Sequence, residues 1–167
     1  MRRVLSALCC VALCSMPAVA QGKGAMSDQQ FVELAAQTDM VEANLGQLAQ
    51  SAGSSQDVKD YGQMLATDHT NDFHQLYSAA QQANAKVPDA IDSQHNKAMI
   101  DPFQKLTGTA FDRRFSQEMV AGHTKAIAAY KNEAAHGQNP ALKAYAEQAL
   151  PTLQKHLDQA KTLGKSK

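Results

Sequence analysis

The stretch AMSDQQFVELAAQTDMVEANLGQLAQSAG, residues 25–53, decides the fold class because it has the spacing of a long amphipathic helix. Ser27, with Gln30 three residues later, forms the capping-box pattern that starts a helix. Gly53 follows the last apolar position and ends the helix, since glycine tolerates the left-handed conformation common there. The apolar residues recur at helical spacing, at Phe31, Leu34, Val41, Leu45, Leu48 and Ala52. The stretch therefore predicts one helix with a single buried face.

Three further helices are predicted from the same period. The second covers about 55–84, the third covers roughly 109–136, and the fourth begins at Pro140, where a first turn tolerates proline. Pro151 lies inside the fourth helix and is expected to kink it by removing a backbone hydrogen bond. Residues 86–107 form a long crossover, in which AIDSQHNKAMI predicts a short helix. No stretch alternates like a strand, so the chain is predicted to be all-α.

An internal repeat indicates how the helices pair. When the chain is shifted by 84 residues, an inward aromatic residue, a helix stop and two helix positions coincide: Phe31 with Phe115, Gly53 with Gly137, Lys59 with Lys143 and Tyr61 with Tyr145. The pattern indicates two similar helical hairpins. We therefore expect a ferritin-like four-helix bundle made of two helical hairpins joined by the long crossover with its short helix.

The first twenty residues are predicted to be a signal peptide. A cationic start precedes a short apolar run, and small residues at Ala18 and Ala20 favour cleavage after Ala20. The run is shorter than the roughly 20 residues of a membrane span. The mature protein is therefore expected to be periplasmic or secreted, without a membrane span. Residues 21–26 are expected to be a flexible N-terminus, residues 27–164 the bundle, and residues 165–167 a disordered tail.

Composition narrows the classes of function. All three cysteines, Cys9, Cys10 and Cys14, lie in the predicted signal peptide, so the mature chain would have no disulfide and no thiolate ligand. It would carry 14 basic and 16 acidic residues without a basic block, so nucleic acid is not an expected partner. A Gly-x-Ser-x-Gly elbow and a Gly-rich phosphate loop are both missing from the sequence. A second copy of the chain or an envelope protein stay open as partners.

Each main helix carries one Glu or His on or beside its apolar face. These candidate metal ligands are Glu42, His69, His123 and His156, with Asp72 at the edge of the face. At about 1.5 Å of rise per residue, all four helices bring their residue near the middle of the bundle, within roughly 10 Å along its axis. Two interpretations stay open. The residues are a structural polar network, or they bind a divalent transition metal such as zinc, copper, manganese or iron.

Four segments resemble a bacterial family, domain of unknown function 4142, whose members look like exported ferritin-like bundles. They are FVELAAQTDMVEANLGQLA, VKDYGQMLATDHT, GTAFDRRFSQEMVAGHTKAI and LKAYAEQALPTLQKHLDQAK. The resemblance covers nearly the whole mature chain and implies the fold and export, with little biochemistry. The polar positions that it implies are Glu42, Asp68, His69, Asp112, His123 and His156.

Two hypotheses of function follow. The first is an exported helical bundle of unknown specific role, without catalytic residues, that acts non-enzymatically in envelope stress. The alternative is a metal-binding bundle that buffers or senses a metal, or performs modest redox chemistry, at a mid-bundle His/Glu site. A di-iron centre is not expected, because few Glu residues face inward and the Glu-x-x-His pair on two helices is missing.

Overall fold

A computed structural model describes residues 26–163; the predicted signal peptide with its cysteines, the mature N-terminus up to residue 25, and residues 164–167 lie outside the described residues. Four long helices make the bundle: α1 (Asp28–Ala52), α2 (Gln56–Gln82), α4 (Gly108–His136) and α5 (Pro140–Leu163). The crossover holds α3 (Ser93–His95), a π-helical turn (Asn96–Ile100) and a 3-10 turn (Asp101–Phe103). Residues 26–163 contain no strand, so the all-α prediction is confirmed.

The helix ends follow the local chemistry of the sequence. At the start of α1 both bonds of the capping box are present, since the Gln30 amide donates to Ser27 Oγ and the Ser27 amide donates to Gln30 Oε1. Ser55 caps α2 through the amide of Val58. The short crossover helix is split into three pieces instead of the one that the sequence predicts. Pro151 lies within α5, which continues from Pro140 to Leu163.

The helices pair as the two expected hairpins, α1 with α2 and α4 with α5. Helix α2 also packs on α5, and α1 packs on α4. Within the first hairpin the backbones meet closely, because a Cβ atom on Gly62 would lie 2.7 Å from the carbonyl oxygen of Gly46. Between residues 26 and 163, none of the helices combines the length and apolar character needed to cross a membrane.

Two apolar clusters fill the bundle, and a polar layer lies between them. One cluster contains Phe31, Tyr130 and Tyr145, and the other contains Phe103, Phe111 and Phe115. Buried acidic and histidine side chains on each long helix come at or beside the point where one cluster gives way to the other. They are Asp39, Glu42, His69, His123 and His156, while a further buried acid, Glu133, lies beyond this point on α4. The fold therefore places titratable groups in the middle of an apolar core, where each needs a partner.

Candidate metal centre

Three histidines from three helices meet in the polar layer. His69 on α2, His123 on α4 and His156 on α5 are 2%, 1% and 0% exposed. Each offers one ring nitrogen, and these three nitrogens lie within 4.8 Å of one another. Nε2 of His123 and Nδ1 of His156 are 3.2 Å apart. We refer to these three residues as the histidine cluster.

Each histidine of the cluster is held by an acceptor on its other nitrogen. His123 Nδ1 is 2.9 Å from the carbonyl oxygen of Met119, which only accepts, so this nitrogen carries the hydrogen. His69 Nδ1 lies 2.9 Å from Asp39 Oδ1. His156 Nε2 lies 2.9 Å from Asp68 Oδ2. These contacts leave the lone pairs on His69 Nε2, His123 Nε2 and His156 Nδ1, the nitrogens not bonded to these acceptors.

Burial keeps the cluster neutral. It lowers the pKa of His69 to about 4, that of His123 to about 3 and that of His156 to about 4. For His123 the neighbouring histidines lower the pKa further. Neutral imidazole is the form that binds metals. The close contact between His123 Nε2 and His156 Nδ1 lies next to His69 Nε2, which is buried without a hydrogen-bond partner.

A second layer of carboxylic acids and tyrosines lies behind His69. Asp39 is 1% exposed, and burial together with Asp72 raises its pKa well above the ordinary value. Its Oδ1 contacts His69 Nδ1, and its Oδ2 is buried without a hydrogen-bond partner. The Tyr145 hydroxyl donates to Asp72 Oδ2 at 2.8 Å and lies 3.0 Å from the Tyr130 hydroxyl. Asp72, a candidate ligand from the sequence, thus belongs to the layer that supports His69.

Glu42 does not join the other three candidates. Its Oε1 lies 3.8 Å from His123 Nδ1, the nitrogen that already bonds Met119. The carboxylate is therefore on the side of the ring that faces away from the cluster. Burial raises the pKa of Glu42 to about 8, and the charges of Glu118 and Asp39 add to this effect. The structure therefore brings together three of the four residues proposed from the sequence.

Two buried acids were missed by the sequence analysis. Asp39 could have been found, because it lies four residues after Ala35 and three before Glu42 on the same helical face. Glu133, 2% exposed, lies in the single Glu-x-x-His segment of the chain, which ends at His136. His136 is exposed at the end of α4 and far along the chain from His123, so this segment adds nothing to the cluster.

A cleft between α2 and α5 leads from the surface to the cluster. Its volume is about 370 Å³, and both His69 and His156 line it. The cleft is also lined by two acidic residues, Asp68 and Asp72, and by one basic residue, Lys155. The cluster is therefore within reach of a small cation from solvent.

Comparison with known proteins gives the family and the fold. The model of the family described as "Domain of unknown function (DUF4142)" matches residues 14–163, so the chain belongs to this family. No curated protein matches the chain. Solved structures of CopM are similar at 17% identity: the Cu(II)-bound form has a TM-score of 0.69 and covers 84% of this chain and 97% of CopM. The apo form has a TM-score of 0.63 and covers 82% and 95%. At this identity the likeness shows the helical-bundle fold alone.

Proposed function

We propose that this member of the DUF4142 family is an exported metal-binding protein whose ion is held by His69, His123 and His156. One observation carries the proposal: the inner nitrogens of three buried imidazoles lie within 4.8 Å of one another, and an acceptor contacts the outer nitrogen of each ring. Acceptors on the far nitrogen are the usual support of metal-bound histidines. Without an ion, the same arrangement leaves His69 Nε2 buried and unpaired, which is unfavourable.

The distances in the cluster suit a first-row metal. Two imidazole nitrogens bound to a tetrahedral ion at about 2.0–2.1 Å would lie about 3.4 Å apart. The 3.2 Å between His123 Nε2 and His156 Nδ1 is close to this value. Because the His69 nitrogen lies within 4.8 Å of both, a small movement of its side chain would complete the site. Three neutral nitrogens without a thiolate favour copper or zinc over magnesium or calcium. The solved structures of CopM include Cu(II)-bound, Cu(I)-bound and Ag-bound forms, which makes copper the first ion to test.

In this proposal the histidine cluster holds the ion and does not catalyse a reaction. Each inner nitrogen belongs to a side chain fixed by a hydrogen bond, and the ion would reach the cluster through the α2–α5 cleft. Export, which is inferred from the predicted signal peptide, supports a role in buffering an envelope metal. The competing hypothesis is a bundle whose histidines only hold the register of its helices. That hypothesis requires no ion and explains the outer hydrogen bonds equally well, so the metal content decides between the two.

The test is the metal content of the mature chain, expressed without a histidine tag and incubated with Cu(I), Cu(II) or Zn(II). After desalting, mass spectrometry should find one tightly held ion per chain. The double variant His69→Ala, His123→Ala should lose it. His74→Ala is the matched control, because His74 is an exposed histidine on the same helix as His69 and should retain the ion. Parent protein that stays free of every ion and keeps its melting temperature would refute the proposal.

A further inference from the structure

The histidine cluster supplies three nitrogen ligands, and the helices around it bring no fourth. In the described part of the chain, only His69, His123 and His156 form a group whose ligand atoms could share an ion. Helix α1 contributes none: Asp39 Oδ1 contacts the outer nitrogen of His69, and Glu42 lies on the far side of the His123 ring. A tetrahedral ion with three protein ligands takes its fourth from outside the chain. The ion of the cluster would therefore keep one position open.

The α2–α5 cleft is the side from which a fourth ligand would arrive. His69 and His156 line this cleft, whereas no residue of α4, and so not His123, lines it. Thr152 also lines the cleft; it is exposed and lies one helical turn before His156. The volume of about 370 Å³ is large enough for a small ring as well as for water. The open position would therefore face solvent through the cleft.

The charges that act on the two rings at the cleft are mostly negative. Burial lowers the pKa of His69, and the charges of Asp72 and Asp68 both oppose this lowering. For His156 burial again lowers the pKa, the hydrogen bond and the charge of Asp68 oppose it, and the charge of Lys155 has the smallest effect. An anion at the open position would thus meet carboxylates at short range and be repelled.

The class of ligand follows from this electrostatic environment. Carboxylates and thiolates are anions, so the acids of the cleft oppose them. Amines are protonated near neutral pH and then have no lone pair to donate. Imidazole is largely neutral in the same range, and it suits both zinc and copper.

We propose that the ion of the histidine cluster takes its fourth ligand through the α2–α5 cleft, and that this ligand is a neutral nitrogen donor of the imidazole class. The inference rests on the proposed function, because it needs an ion in the cluster. A free imidazole compound and a histidine side chain of another protein share this chemistry. With either, the ion exchanges a ligand at a position that the bundle does not enclose, so transfer of the ion requires no unfolding.

The test uses the mature chain loaded with one equivalent of Cu(II), or with Co(II) if zinc is the ion retained, and then desalted. Imidazole is titrated at pH 8 while the visible absorption is recorded. The absorption band should shift and saturate at one imidazole per ion, with the metal content unchanged. A capped peptide with one internal histidine forms the second arm. A shift with the peptide indicates that a protein side chain reaches the ion, and a shift with imidazole alone indicates a small molecule.

Thr152→Phe places a ring in the cleft and changes no ligand. It should weaken imidazole binding by about tenfold or more, which corresponds to about 1.4 kcal/mol, and leave the metal content unchanged. Gln159→Phe is the matched control, because Gln159 is exposed on the same helix and does not line the cleft. It should bind imidazole as the parent does. Circular dichroism checks that both variants are folded, and the titration of the parent does not depend on them.

Three results would overturn the inference and leave the proposed function intact. The first is a parent that retains its ion but whose absorption does not respond to imidazole, which would mean that the chain itself fills the fourth position. The second is equal imidazole affinity in folded Thr152→Phe and the parent. The third is displacement of imidazole by an equal concentration of acetate. A parent that retains no ion refutes the proposed function, and this inference with it.

Discussion

Glu42→Gln should stabilise the metal-free protein, and the gain should depend strongly on pH. The carboxylate is buried, its Oε2 has no partner, and burial raises its pKa from 4.5 to about 8. A group with a raised folded pKa gives its full stability below its unfolded value of 4.5. That stability is lost as the pH rises through about 8. Glutamine is neutral at every pH and avoids the loss.

The size of the effect follows from the two pKa values. The difference between 4.5 and about 8 corresponds to a ceiling of about 5 kcal/mol in the free energy of unfolding. At pH 5 Glu42 is protonated in the folded protein, so the parent and the variant should differ by less than about 1 kcal/mol. At pH 9 the variant should be more stable by about 2–5 kcal/mol, the lower figure allowing for local opening that lets water reach the carboxylate.

Urea denaturation at pH 5, 7 and 9, followed by circular dichroism with a chelator present, measures the difference directly. Glu33→Gln serves as the control, because its exposed carboxylate should show little change across the same range. The two curves should separate steadily as the pH rises. A gap that stays constant from pH 5 to pH 9, or a variant less stable at pH 9, would refute the claim that Glu42 is buried without a partner.

Three other outcomes are expected from the structure. Gly62→Ala should lower the free energy of unfolding by about 1–3 kcal/mol, because the new Cβ meets the backbone of Gly46. The exposed control Gln47→Ala should change it by less than about 0.5 kcal/mol, and equal melting temperatures for the two variants would contradict the close helix contact. Asp112→Ala should cost about 1 kcal/mol in urea denaturation, since its carboxylate accepts from two loop amides at 2.9 and 3.0 Å, and an unchanged midpoint would disprove this tether. Burial lowers the pKa values of the three central histidines in the folded state, so the free energy of unfolding should fall as the pH drops from about 6.5 to about 4. Urea denaturation of the Glu42→Gln variant measures this effect, and a free energy of unfolding that does not change over this pH range would mean that the histidines are solvated.

Local features of the sequence predicted most of the fold. The capping box at Ser27, the stop at Gly53 and the start at Pro140 are each confirmed within a residue or two. The reason given for Gly53 was wrong, because its φ of −67° is extended backbone and not left-handed; a Cβ atom there would instead meet the carbonyl oxygen of Ala49. Such signals act over three or four residues, so they need no tertiary information. The crossover was harder, because its π-helical and 3-10 turns depend on how Ile100 and Phe103 pack against the bundle.

Part of the candidate site could also be predicted from local features of the sequence. Helical spacing was enough to put His69, His123 and His156 on buried faces, since positions three and four apart share one side of a helix. Their distances from the turns also predicted a common depth in the bundle. Export and the extent of the signal peptide stay predictions, because they concern residues outside the described part of the chain.

The sequence by itself determined the helices, their two hairpins and the inward direction of the three histidines, because periodicity and capping are local. Only the tertiary structure decided which nitrogen of each ring faces the centre and that Asp39 supports His69. It also decided that Glu42 points away from the cluster, into a pocket between α1, α4 and the crossover. The reason is geometric: each residue turns the side chain about 100° around the helix axis. Partners across helices therefore depend on rotation and register, which only the packed bundle sets.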